Sequence, residues 1–137
     1  MLLRPYAESD ELAVIALWRE ALADAAPHND PLLTIRKKRA VESDLFFVAE
    51  SAGCVVGTVM GGYDGHRGWI YSVAVSERCR RQGMGRALVR HLEAALVARG
   101  CLKVNLQVRA TNAAVLAFYQ GLGYSVEERI SMGKRLY

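Results

Sequence analysis

The apolar positions change period along the chain, and each change marks a predicted element. Leu2-Leu3-Arg4-Pro5 is short and apolar enough for an edge strand. Ser9 stands where it can N-cap a helix whose first turn carries Asp10 and Glu11 at the positive dipole end. Val14, Leu17, Trp18 and Ala21 then share one helical stripe. Pro27-His28-Asn29-Asp30-Pro31 breaks that helix, and a second, strongly basic one is predicted from about Leu32 to Glu42. From Leu45 the pattern turns β-rich. Leu45 to Glu50, a turn at Ala52-Gly53 and Cys54 to Met60 read as an antiparallel hairpin, and the Tyr63 to Gly68 turn leads into a third strand, Trp69 to Val75.

Past a loop at residues 76 to 82 the helical period returns through Met84, Leu88, Leu92, Ala95 and Leu96, with Gly100 placed as a C-terminal glycine. Leu102 to Val108 alternates apolar and polar side chains, as a half-buried strand does. Thr111 or Asn112 caps a last helix through Val115, Phe118 and Leu122, stopped by Gly121 and Gly123, and a final strand pair is predicted within Tyr124 to Tyr137. Strand, helix and strand around Val73 to Val108 make a crossover unit. The fold class is therefore α/β in the α+β sense: a mixed, mostly antiparallel central sheet with helices on both faces.

Composition narrows the function classes. A chain of 137 residues with 52% hydrophobic and 23% charged side chains suits one globular domain, 1–137. No stretch reaches the roughly 18 to 20 apolar residues of a membrane span, and the N-terminus lacks a signal-peptide pattern, so a cytoplasmic protein without a membrane partner is expected. Three cysteines, Cys54, Cys79 and Cys101, read as free thiols, with Cys54 and Cys101 behaving as small buried hydrophobes. No spacing fits a metal site. The net charge of +4 favours an anionic ligand without requiring nucleic acid.

The most informative segment joins the third strand to the next helix: Val73-Ala74-Val75, then Arg80-Arg81-Gln82-Gly83-Met84-Gly85-Arg86. Its glycines let backbone approach a ligand closely, the first helical turn presents N–H groups without intrahelical acceptors, and the dipole favours negative charge. Arg81 and Arg86 add charge-assisted donors. Neither a P-loop nor a dinucleotide fingerprint fits, because the first needs Gly-Lys-Ser/Thr and the second a small residue where Leu88 stands.

Arg80-Arg81-Gln82-Gly83-Met84-Gly85 resembles the acetyl-CoA signature of the GCN5-related N-acetyltransferase (GNAT) family, Gln/Arg-x-x-Gly-x-Gly/Ala. Asn112 followed by Phe118-Tyr119-Gln120-Gly121-Leu122-Gly123-Tyr124 resembles the family's second motif, in family order and spacing, and the element order matches that of small bacterial single-domain members. The resemblance implies the GNAT fold and an enzyme that transfers acetyl from the cosubstrate acetyl-CoA, without a metal, to a primary amine of a small molecule or peptide. It further implies that the backbone of Val73, Ala74 and Val75 binds the pantetheine arm and thioester, that Arg81, Gln82, Gly83, Met84, Gly85 and Arg86 cradle the pyrophosphate, that Asn112 lies beside the cosubstrate, and that Tyr119 protonates the leaving thiolate.

The chemistry of Tyr119 is consistent with that role. A phenol near pKa 10 needs only modest tuning to serve a thiolate of about 8.5. On a helix Tyr119 lies roughly 100° from Phe118, predicted to face the core, so its hydroxyl reaches the edge of the apolar stripe. The general base is open: Gln107 stands where several GNAT enzymes carry a glutamate, leaving a water relay, Asp64, His66, Glu77 or Glu50. Acceptor recognition is expected from Trp18, His28, Asn29, Asp30 and the Tyr63 to Arg67 turn, whose acidic members suit a cationic amine. A non-catalytic CoA sensor keeps the glycine loop and makes Tyr119 dispensable. Nucleic-acid binding through Arg36-Lys37-Lys38-Arg39 is the weakest reading, for no aromatic residues interleave with the charges. A homodimer is compatible with the C-terminal strands or an apolar surface.

Overall fold

Five strands form one sheet in the order β1-β2-β3-β4-β5: β1 Leu2–Pro5, β2 Phe46–Ser51, β3 Cys54–Tyr63, β4 Gly68–Val75 and β5 Val104–Asn105. Neighbours run antiparallel except β4 and β5, which are parallel as a helical crossover requires. The helices are α1 Glu11–Ala21, α2 Pro31–Val41, α3 Met84–Ala98 and α4 Ala113–Gly121. This is a computed structural model; it describes all residues except 23 and 25, and it comprises two compact units, Met1–Leu106 and Gln107–Tyr137.

Alternation along β3 assigns the helices to opposite faces. Thr58 and Met60 meet α1, through Trp18 and the core cluster of Val14, Ile15, Leu17, Ile35, Phe46, Val48 and Ala74. Gly57 and Gly61 instead face α3, where a Cβ would lie 2.8 Å from Leu88 Cδ1 and 2.6 Å from Leu92 Cδ1 respectively. A Cβ on Gly68 of β4 would meet Leu96 Cδ1 at 3.2 Å. Three glycines thus receive three leucines spaced one helical turn apart, and α3 seats close against the sheet. We expect Gly61→Ala to displace the fully buried Leu92 and to lower stability by about 1–3 kcal/mol, read as a lower urea midpoint with an unchanged m-value.

The start of the chain is fixed by ions rather than by the expected Ser9 cap. A short 3-10 turn, Glu8–Asp10, precedes α1, and Asp10 accepts from Ala7 N at 2.8 Å. Arg4 grips both Asp10 oxygens at 2.8 and 2.9 Å while its Nε donates to Glu50 at 2.8 Å. These bonds, Arg4 foremost, hold the buried Asp10 carboxyl below its ordinary value of 3.8. A depressed folded value stabilises above pH 3.8, and that contribution is lost as pH falls through the folded value. We therefore expect Asp10→Asn to be less stable than the parent by roughly 1–3 kcal/mol at pH 7, with the gap closing in acid, by urea denaturation at several pH values.

Several other expectations are corrected. Cys54 is exposed, Cys101 buried and Cys79 intermediate, because Cys54 opens β3 at the hairpin turn. The strand predicted over Leu102 to Val108 is reduced to Val104–Asn105, with Leu102 97% exposed. Gly121 is the last residue of α4 rather than its stop; Gly123, at φ 95°, is the left-handed one. The final strand pair does not form. Val126, Ile130, Met132 and Leu136 are at least 72% exposed, so the apolar residues of this segment meet no core, and no ladder partner pairs with it among the described residues.

Candidate active site

Two features of the first unit converge at the end of β4. The β4–β5 ladder holds only Gly68 against Val104 and Trp69 against Asn105, while β4 runs on to Val75. From Ile70 to Val75 the strand therefore keeps β3 on one side and, among the described residues, has no ladder partner on the other. Within that stretch β4 is bulged: Thr58 and Met60, two steps apart on β3, face Ala74 and Tyr71, three apart on β4. The extra residue falls at Ser72, which adopts a left-handed φ of 49°. Backbone groups of alternate residues, Val73 and Val75, thus face away from β3, while Ala74 is paired with Thr58.

The chain then turns into α3 through Ser76–Gly83. Ser76 N donates to Val56 O at 2.8 Å and Arg80 Nε to Val75 O at 3.2 Å, tying the loop to the strand end. Arg81 and Gly83 both take left-handed φ, 62° and 80°. Gly83 is the N-cap of α3 with no side-chain cap, and nothing lies within 4 Å of where its Cβ would be. The N–H groups of Met84, Gly85 and Arg86 are consequently bare of both intrahelical acceptors and a capping side chain. Met84 itself points inward, 5% exposed against Gly57, so only its backbone is available to a ligand.

Charge pairing occupies several basic side chains outside this loop. Arg4, Arg36, Lys38, Arg39, Arg90 and Arg99 each pair with a carboxylate. Arg78, Arg80, Arg81 and Arg86 are exposed, and among the described residues none of them makes an ion pair. Arg36, Lys38 and Arg39 of the α2 tetrad are satisfied internally, whereas four unpaired arginines fall within residues 78–86 at the glycine-started helix; Arg19, Lys37 and Arg67 also make no ion pair among the described residues of the first unit. Beside it Glu20, Ser76, Glu77 and Arg78 line a cavity of about 400 Å³, and Glu77 N donates to Glu20 Oε1 at 3.2 Å.

An open strand edge leading to a bare helix N-terminus ringed by arginines is suited to a long anionic ligand whose neutral arm extends along β4. Comparison with known proteins gives the arrangement a family. The sequence model of the acetyltransferase (GNAT) family matches residues 12–124. This chain belongs to the GNAT acetyltransferase family. An acetyltransferase of Yersinia enterocolitica is 45% identical over 136 residues, covering 99% of this chain and 96% of that one. Among solved structures, Ard1 from Thermoplasma volcanium superposes with a TM-score of 0.83 at 27% identity, covering 92% of this chain and 83% of that one. Chaetomium thermophilum Naa20, captured with a bisubstrate analogue, gives 0.77 at 30% identity, with coverage of 92% and 72%. The expected GNAT fold, with its five-stranded mixed sheet flanked by helices, is the one observed, and the chain is an N-acetyltransferase.

The second unit carries the other expected GNAT residues. Asn112 caps α4, its Oδ1 accepting from Val115 N at 3.2 Å. Tyr119 reverses the expected orientation. It is 8% exposed, with Phe118 only half-buried, because Tyr119 packs edge-on between Phe118 at 5.0 Å and Tyr124 at 5.6 Å. Burial alone pushes its phenol up to about 12, with no hydrogen bond or charge contributing. Gln107 is engaged with Ser131.

Most residues expected to recognise the acceptor have structural duties. Trp18 is 4% exposed and donates to Thr58. Asn29 donates to Asp24, Asp30 caps α2 through Leu33 N, and Tyr63 donates to Gly65 O inside its own turn. Two of the alternatives for the base are likewise occupied. Glu50 pairs with Arg4, and the Asp64 carboxyl accepts from Arg67 N and His66 N, which hold it below its usual range. The bulge at Ser72 escaped the sequence reading, since Ser72 looks like an ordinary strand residue. Only a polar side chain at mid-strand gave any signal of it.

Proposed function

We propose that the whole chain, 1–137, acts as one cytoplasmic acetyltransferase domain that binds acetyl-CoA along β4 and the start of α3 and acetylates a primary amine of a small molecule or peptide. The observation that carries this reading is the junction itself: an open β4 edge running into an uncapped, glycine-started helix whose surrounding arginines have no acidic partners among the described residues. The residues present fit the group. Gly83 leaves open the space that a Cβ would fill, and Arg81 and Arg86 supply donors for a pyrophosphate. Gln82 and the backbone of Met84 and Gly85 complete the cradle, and the family resemblance assigns Asn112 to the cosubstrate as well.

Acetyl-CoA supplies an activated thioester carbonyl, which the neutral acceptor amine attacks while the thiolate departs. Backbone N–H groups of Val73 and Val75 are fixed before the reaction and stabilise charge on the carbonyl oxygen without reorganising. Tyr119 is assigned as proton donor. With its phenol pushed up to about 12 it stays protonated throughout the neutral range. Donation to a thiolate of about 8.5 is uphill by roughly 3.5 units, so it must run together with loss of a proton from the attacking nitrogen. Glu77, His66 or a water relay takes that second proton; Glu50 and Asp64 are already engaged.

The reading needs neither a metal nor nucleic acid, and it is compatible with a monomer or a homodimer. A thiol-release screen of amino acids, polyamines, aminoglycosides and short peptides tests it. Acceptor-dependent release of CoA supports amine acetylation. Saturable binding of acetyl-CoA without release from any amine supports the sensor alternative.

A further inference from the structure

Helix α1 reaches the bulged strand through a two-bond chain that crosses β3. Trp18 Nε1 donates to Thr58 Oγ1 at 2.8 Å, and Thr58 Oγ1 donates to the Ser72 carbonyl at 2.9 Å. The proton order is fixed by chemistry: an indole N–H only donates, so the single hydroxyl proton of Thr58 goes to Ser72. Both side chains are sealed, Thr58 at 0% exposure and Trp18, a member of the α1 core cluster, at 4%. Their target is no ordinary strand carbonyl. Ser72 is the left-handed residue of the β4 bulge, a conformation a non-glycine residue holds only when its surroundings impose it.

We propose that Thr58, oriented by Trp18, is a positioning residue for acetyl transfer: it pins the Ser72 carbonyl and thereby fixes the course of β4 through Val73 to Val75. This rests on the reading of that edge as the thioester site. The hydroxyl touches no substrate; it acts through the backbone. A strand carrying an extra residue has more than one way to distribute its twist, and a buried bond to the bulge carbonyl selects one. The consequence reaches α1 as well, since a displacement of Trp18 and a displacement of the thioester-binding edge are linked through one hydroxyl.

The test uses the full chain and two kinds of readout. In Thr58→Val, which keeps the volume but strands both neighbours, amide exchange at residues 72–75 of the free protein should accelerate on the order of tenfold, the loss expected of one buried hydrogen bond. With an acceptor found by thiol release, kcat should fall on the order of tenfold while KM for acetyl-CoA moves less than about threefold. Thr58→Ser should restore both. Val48→Ala, in the same core cluster and without a bond to β4, should lose stability but keep parental kcat and parental exchange at 72–75. Parental exchange or parental kcat in Thr58→Val overturns the inference, as does the same pair of losses in Val48→Ala. Should Thr58→Val fail to fold, Trp18→Phe carries the test: it removes the indole donor along with part of a buried ring, a packing loss that Val48→Ala calibrates, and faster exchange at 72–75 with lowered kcat is expected, parental values being contrary. If the parent protein does not bind acetyl-CoA in calorimetry, the thioester reading of β4 fails, and the positioning role fails with it. If the parent binds and Thr58→Val is indistinguishable from it, only the positioning role fails.

Discussion

Gly83→Asp is expected to weaken acetyl-CoA binding at least on the order of 100-fold while leaving the fold intact. Both halves of that expectation come from the same geometry. Gly83 sits at φ 80°, and a Cβ there would meet nothing within 4 Å, so the folded chain suffers only the backbone strain of a left-handed aspartate, about 1–2 kcal/mol. The open space is the proposed place of the pyrophosphate. A carboxylate there fills it, repels the phosphates and offers an internal partner to the exposed Arg81 and Arg86. A circular dichroism melt within a few degrees of the parent, together with lost binding in calorimetry, is the predicted pair of results. Retained binding would show that the helix start is not the anion site.

Tyr119→Phe should give the opposite division: acetyl-CoA affinity within about threefold of the parent, and kcat lowered by roughly 100-fold or more. The isosteric ring keeps its edge-on contacts with Phe118 and Tyr124, so packing is preserved and only the proton donor is removed. An independent signature lies in alkali. The unfolded phenol ionises near 10 and the folded one at about 12, so the folded state retains the proton longer and stability falls as pH rises between those values. Tyr119→Phe should lack that share of the alkaline loss in denaturation measured at pH 9 to 12. Parental kcat in this variant would remove Tyr119 from the chemistry and favour another proton donor.

Where the chain announces itself, it does so through local chemistry. The leucine period of α3 was legible because Leu88, Leu92 and Leu96 serve one buried face, and the turn at Ala52-Gly53 because both residues take left-handed φ, 51° and 77°. The glycine loop was legible for the same reason: no other residue type leaves a helix start both bare and unobstructed. What the sequence concealed is set by tertiary partners. Alternation in Leu102 to Val108 and the apolar residues beyond Tyr124 look like strand, yet exposed Leu102, Ile130 and Leu136 show that such a pattern without a covering face does not make one. Tyr119 and Phe118 are both aromatic on an apolar helix, and which of them turns inward depends on Tyr124, six ångströms or less away across the helix end.

The candidate site divides along the same line. Arg81, Gly83 and Gly85 were readable as an anion cradle, but that Arg36 and Arg39 are neutralised by Glu11 and Glu8 while the loop arginines are not is a fact of packing. Trp18 was expected at the acceptor and proves to be a buried donor to Thr58, a bond between residues forty positions apart that no local pattern encodes.

Calorimetric titration of the purified chain with acetyl-CoA tests the central claim most directly, because it asks only whether β4 and the start of α3 form the binding site. Saturable binding at one site per chain, abolished in Gly83→Asp and retained in Tyr119→Phe, is the predicted result. No binding at acetyl-CoA concentrations up to about 1 mM, or binding that survives Gly83→Asp unchanged, would contradict the account.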